Sequence, residues 1–112
     1  MNFLSEYHKQ AFEEFSFLAQ AKPREKEYRA ALYLLSSPLL ARRTKKYIEP
    51  RGIRFGDLKE AAKPWSSSER ALLSLAGNLF NGSWPADVNE VFWNLDQGNT
   101  EIALEAIRAR FT

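Results

Sequence analysis

The chain has 112 residues, of which 45% are apolar, 27% charged and 13% aromatic, and its sixteen Lys and Arg against fourteen Asp and Glu leave a formal net charge of +2. That profile belongs to a single globular domain with an ordinary core, well away from disordered chains. With no cysteine and a single histidine, His8, disulfides, thiol nucleophiles, cysteine-based zinc sites and paired-histidine metal motifs are excluded.

The opening Met1-Asn2-Phe3-Leu4-Ser5-Glu6 lacks the basic start and long apolar run of a secretory signal. No stretch approaches the roughly eighteen apolar residues of a membrane span. A soluble, cytoplasmic protein without membrane insertion is expected. Apolar residues recur at three and four rather than at two, so helices are expected almost throughout. The first runs from about Ser5, its N-cap, to Lys22, with Tyr7, Ala11, Phe15 and Leu18 as a stripe flanked by Phe12 and Ala19. Phe17 points to the opposite face at about 100° per residue, either toward a partner or onto a neighbouring loop.

Pro23 breaks the chain before a second helix, about Arg24 to Ser36. Tyr28, Ala31, Leu32 and Leu35 share one face, and Tyr33 and Leu34 widen it until little polar surface remains. Such a helix belongs at the centre of a fold. Pro38 opens a third helix to about Ile48, anchored by Leu39, Leu40 and Tyr47, and Pro50 and Gly52 end it. Gly52 to Phe55 reads as extended, followed by a short helix from Asp57 to Lys63.

Ser66-x-x-Glu69 is a capping box that opens a helix to Asn81, with Leu72, Leu73, Leu75, Ala76, Leu79 and Phe80 inward. Arg70, Ser74, Gly77 and Asn81 oppose them, and Gly82 is the stop. Asp87-x-x-Glu90 makes a second box before a short helix carrying Val91, Phe92 and Leu95, closed by Gly98. Asn99 or Thr100 then caps a last helix with Ala103, Leu104, Ile107 and Phe111 on one face. The expected fold is a single all-α domain, residues 1–112, of five to six short helices in an orthogonal or irregular bundle.

One feature invites a functional reading. Arg42, Arg43, Lys45, Lys46, Arg51 and Arg54 fall in thirteen residues with one acid, Glu49, a local charge of +5. These six residues are candidates for contact with an anion or a nucleic acid, whose binding would weaken with salt. The order helix, Pro-Gly turn, short helix hints at a helix-turn-helix. Against this, such cations equally cover a solvated face and pair with the fold's glutamates. The net charge is small for a dedicated DNA binder.

Catalytic signatures are missing. His8 lies at the edge of the apolar stripe, a place for a hydrogen-bonded structural imidazole, and no Ser or Cys motif accompanies it. Glu13 and Glu14 lie off the stripe, on a solvated face. Asp96-x-Gly98-x-Thr100 lacks the further ligands of a calcium loop, and the five isolated glycines match no phosphate-binding loop. No catalytic residue, metal or cofactor is assigned. Trp93 is read as at least half core, while Trp65 and Trp84, each beside a proline, either pin loops against the core or stand out as partner anchors.

The motifs Phe3-Leu4-Ser5-Glu6-Tyr7-His8, Ala31-Leu32-Tyr33-Leu34-Leu35, Asn78-Leu79-Phe80-Asn81-Gly82 and Ala106-Ile107-x-x-Arg110-Phe111 carry a resemblance. The chain resembles a family of small bacterial and phage proteins known only as a domain of unknown function. The resemblance implies a small helical domain and assigns no activity or cofactor. The stretch Leu39 to Glu49 is more basic here than the family pattern. The function expected is a non-catalytic module that docks on another protein or on a copy of itself, with Phe17 and Trp84 as candidate contacts. The alternative is nucleic-acid binding through residues 42–54.

Overall fold

In the computed structural model, which describes residues 1–112, the Ser5 hydroxyl accepts the His8 backbone N–H at 3.1 Å and starts α1 (Glu6–Ala19). The helix ends before Lys22 because Gln20 turns into the left-handed region, at φ 54°. Its inward face is His8, Phe12, Phe15 and Ala19, one position round from the expected stripe, and Tyr7 is left 48% exposed. The cause is His8. Its Nε2 faces the Tyr33 carbonyl at 2.9 Å and its Nδ1 faces the Leu4 backbone N–H at 3.3 Å. A carbonyl only accepts and an amide N–H only donates, so the ring is a neutral Nε2–H tautomer with both nitrogens satisfied. A histidine so paired can be buried like an apolar residue.

The central helix is α2 (Lys26–Leu35), in which every residue from Tyr28 to Leu35 except Arg29 is buried. It packs mainly against α5 (Ser67–Asn81) and α7 (Gln97–Phe111), with α1 alongside. Full burial of Leu32, Leu34 and Leu35 contributes about 2 kcal/mol for each side chain. This central position is the one the sequence led us to expect.

The third predicted helix does not run to Ile48. It divides into α3 (Ala41–Thr44) and a 3-10 turn, Lys45–Tyr47, and then gives way to extended backbone. Two constraints act. Buried Thr44 commits its hydroxyl to the Leu35 carbonyl at 2.7 Å, and Pro50 disfavours helical backbone at Glu49. The chain forms a minimal antiparallel hairpin of β1 (Ile48–Glu49) and β2 (Gly52–Ile53), Ile48 opposite Ile53 and Glu49 opposite Gly52. No strand was expected here. Pro50 fixes its own φ, and Arg51 completes the reversal in the left-handed region at φ 59°, unusual for a residue with a Cβ.

After the hairpin come α4 (Phe55–Ala61), starting two residues earlier than expected, and α5, whose capping box is present in both directions. Glu69 N–H donates to Ser66 Oγ at 3.2 Å, and Ser66 N–H donates to Glu69 Oε1 at 3.0 Å. Gly82 ends α5 at φ 76°. Gly77, expected on the outer face, is buried under the Trp84 indole. Next, α6 (Val88–Trp93) is capped by Asp87, which accepts from the Asn89 N–H, without the reciprocal half of a box. Asp96 caps α7, so Gly98 lies in the first turn of α7 instead of closing α6, and Asn99 and Thr100 are helical rather than caps.

The buried face of α7 is Ile102, Ala103, Ala106 and Ala109, while Leu104 and Phe111 are exposed. Small side chains let α7 approach α2 and α5 closely, and Arg110 ties it to α5 by donating to the Leu79 carbonyl at 2.7 Å. The molecule is a single all-α domain of seven helices and one two-residue hairpin, with a radius of gyration of 12.4 Å. The seven helices correspond one for one to the helical segments read along the sequence, the short ones near 57–63 and 88–95 included, so the total of five to six undercounted them. No helix is long and apolar enough to cross a membrane.

Candidate functional site

The six clustered cations do not act as one patch. Arg51 serves the fold. Its backbone N–H donates to the Ala19 carbonyl at 2.9 Å, its Nη1 donates to the Gln20 carbonyl, and its guanidinium grips the Glu25 carboxylate at 2.8 and 2.6 Å. It also lies 5.0 Å over the Tyr28 ring. The hairpin turn is thereby fastened to the end of α1 and the start of α2, which holds Arg51 in its left-handed conformation. The Arg51 contact, helped by the Lys22 N–H, pulls the Glu25 carboxyl down to about 2, so the clamp persists into strong acid. Arg51→Ala is expected to lower the melting temperature measurably, whereas Arg42→Ala, which removes no pairing, leaves it unchanged; thermal denaturation followed by circular dichroism distinguishes them.

Arg54 pairs with Asp57 at 2.9 Å beside the Tyr47 ring, and Lys45 pairs with Glu14 at 2.9 Å. Arg43 meets Glu69 Oε2 at 2.6 Å and lies 5.2 Å over Trp65. Glu69 thus caps α5 with one oxygen and holds Arg43 with the other. Burial opposes its ionisation, but the Ser66 backbone N–H and hydroxyl and the Arg43 charge outweigh that and keep its carboxyl below the usual range. Arg42 and Lys46 have no carboxylate partner; Lys46 rests 5.5 Å over Tyr47. Of the hinted helix-turn-helix, the first helix shrinks to the four-residue α3 and a 3-10 turn and the turn becomes a hairpin, while the short helix that follows, α4, carries the acids Asp57 and Glu60.

Arg42, Arg43, Lys45 and Lys46 line one shallow groove of about 720 Å³ with Leu18, Tyr47, Ile48, Ala61 and Trp65. No carboxylate lines it, and Arg51 and Arg54 lie outside it. Leu18 and Ile48 also line a second depression of about 550 Å³ whose other walls include Phe17, Ala21 and Pro50. The two adjoin at Leu18 and Ile48, the second mainly apolar and the first rimmed by cations. Phe17 is 81% exposed at the edge of the second, on the side of α1 away from the core, as the helical angle led us to expect.

The tryptophans divide differently from the sequence reading. Trp65 is 8% exposed and pins its loop. Trp84, a candidate partner contact, is half-buried against the core: its ring packs on Gly77 and edge-on to Phe55, Lys59 lies over it, and its carbonyl accepts from Asn78 Nδ2 at 2.8 Å. It too is a pin. Trp93, expected to be at least half core, is 87% exposed. Val91 takes the inward position of α6 and Trp93 lies two residues on, about 200° round the helix. That offset was legible in the sequence once Val91 was chosen as the inward residue, and it adds Trp93 to the exposed aromatics.

A further cleft of about 580 Å³ between α4, α5 and α6 sets Lys59, Lys63 and Arg70 against Asp87 and Glu90 over Ala71, Leu73 and Val91. Its charges are mixed, and the Asp87 carboxylate is used as the α6 cap. No group of three or more His, Asp or Glu side chains converges in a way that would hold a metal ion. Compared with known proteins, the chain matches no family model, no curated protein and no solved structure.

Proposed function

We propose that this protein is a non-catalytic docking module that binds another protein through the surface running from Phe17 across the hairpin to α3. The observation that carries this reading is Phe17: a phenylalanine 81% exposed on a helix with a well-filled core face, standing beside a depression floored by Leu18, Ile48 and Pro50. Exposed aromatic side chains at the rim of an apolar concavity are the usual anchors of protein interfaces. Membership of the small helical family resembled above is part of the same proposal, rests on the motifs quoted for it, and brings no activity with it.

Nucleic-acid binding through residues 42–54 is the weaker reading. Four of the six cations are engaged by carboxylates of the fold itself, leaving two for phosphates. The aromatic rings in the basic groove are also occupied, Trp65 by Arg43 and Tyr47 by Lys46 and Arg54, so bases find little open ring face on which to stack.

The test compares wild-type protein with Phe17→Asp and Trp93→Ala. Phe17→Asp is expected to change stability by no more than about 0.5 kcal/mol, as for other exposed positions. It is expected to abolish co-elution with the partner in cell extract, or self-association seen by light scattering. Trp93→Ala should leave association intact. Association that survives Phe17→Asp and is lost with Trp93→Ala would move the docking surface to α6 and reject this one.

A further inference from the structure

The same surface specifies the chemistry of what it binds; this step rests on the docking reading and deepens it. The groove beside Phe17 has an apolar floor, and its charged rim consists of cations alone. Two of these cations differ from the others. Arg43 and Lys45 are neutralised by Glu69 and Glu14, whereas Arg42 and Lys46 are exposed and lack a carboxylate partner. They lie one helical turn apart in sequence, Arg42 on α3 and Lys46 in the 3-10 turn that continues it. Both side chains line the same groove. The uncompensated positive charge is therefore concentrated within the groove that Leu18 and Ile48 join to the Phe17 depression.

We infer that the occupant is an acidic protein segment that carries apolar anchors, its carboxylates meeting Arg42 and Lys46 and its apolar side chains seated over Leu18, Ile48 and Phe17. Charge complementarity chooses the sign. The apolar floor excludes a purely acidic chain as the best fit, because a solvated polyanion gains nothing from Leu18 or Ile48. The covered rings of Trp65 and Tyr47 make a single-stranded nucleic acid the poorer fit. Because both free cations are exposed, the electrostatic share should appear mainly in the association rate and in sensitivity to salt.

Four labelled probes test this by fluorescence anisotropy on the full chain: a short peptide alternating Glu with Leu and Phe, the same peptide with every Glu as Gln, an oligoglutamate, and a single-stranded oligonucleotide of similar length. The acidic apolar peptide is expected to bind roughly tenfold or more tightly than each of the others. Arg42→Glu with Lys46→Glu should weaken it by about tenfold or more, the loss of two favourable charge pairs and their replacement by repulsion. Arg42→Glu removes no pairing within the fold and Lys46→Glu removes only the exposed contact over the Tyr47 ring, so the double variant should lose no more than about 1 kcal/mol of stability and stay folded at the assay temperature. Equal binding of the Gln peptide, preference for the oligonucleotide or for oligoglutamate, no binding of any probe, or indifference to the double charge reversal would each overturn the inference. If partner association is lost with Phe17→Asp and kept in Arg42→Glu/Lys46→Glu, the docking reading stands and the acidic segment is rejected.

Discussion

Gly77→Ala is expected to destabilise the domain by about 2 kcal/mol, although it replaces a helical glycine by the best helix former. A Cβ at position 77 would lie 2.3 Å from Trp84 Cε3, 2.8 Å from Cδ2 and 3.0 Å from the Trp84 Cβ. Contacts this short cannot be relieved by rotating the ring alone, because the base of the side chain is also too close. The indole must lift off α5, and with it go the edge contact to Phe55 and the position from which the Trp84 carbonyl accepts from Asn78. Overpacking of this kind costs about 1 to 3 kcal/mol, against a gain of about 1 kcal/mol from replacing glycine in a helix. The signature is non-additivity. Trp84→Ala alone should cost about 2 to 3 kcal/mol, and in its background Gly77→Ala should become neutral or mildly stabilising. Urea denaturation of the four proteins measures the coupling; simple additivity would mean that Trp84 does not sit on Gly77.

The second large effect is a loss of stability in mild acid that depends on one side chain. Burial lowers the His8 pKa below its ordinary value of 6.5, opposed in part by the hydrogen bond to the Tyr33 carbonyl. Phe3 and Tyr33 pack against the ring, and its Nδ1 already accepts from the Leu4 N–H. A proton added there would face another N–H donor. The unfolded chain therefore binds this proton more readily than the folded one, and stability rises with pH through the window. The contribution is complete above about pH 6.5 and is lost as the pH falls toward the lowered folded value, at a slope of at most about 1.4 kcal/mol per pH unit for one proton. His8 is the chain's one histidine, so little else titrates between about pH 5 and 6.5. His8→Leu should flatten the profile there. At pH 7.5 it should cost about 2 to 3 kcal/mol, since the Leu4 N–H and Tyr33 carbonyl would lose their partners. Denaturant midpoints across this range give both numbers, and an unchanged slope in His8→Leu would contradict the assignment.

These two positions also show where sequence reading reached and where it stopped. Caps at Ser5 and Ser66, the stop at Gly82 and the central place of α2 were legible because each depends on neighbouring residues alone. Gly77 was not: its glycine answers a tryptophan that returns from the next loop, and the periodicity of α5 by itself puts it outside. The helical angle puts His8 at the edge of the stripe as a hydrogen-bonded structural imidazole, which it is, but its complete burial was not legible because only the folded chain brings the Tyr33 carbonyl to it. In α7 the alanines, not Leu104 and Phe111, face inward, since close helix approach selects for small size.

The candidate surface divides along the same line. The exposure of Phe17 followed from its angle on α1. The split of the charge cluster did not, because Glu14, Glu25 and Glu69 are distant in sequence from the cations that they neutralise. Local charge density therefore overstated the free positive charge. What remains free is the pair Arg42 and Lys46, and the tertiary structure sets it beside an apolar depression.

A photo-reactive phenylalanine analogue placed at position 17 gives the most direct test of whether this surface docks. Irradiation in cell extract is expected to yield one discrete covalent product, suppressed by excess wild-type protein and not by excess Phe17→Asp protein. Labelling that is diffuse, or that Phe17→Asp protein suppresses as well as wild type, would contradict a specific interface at Phe17.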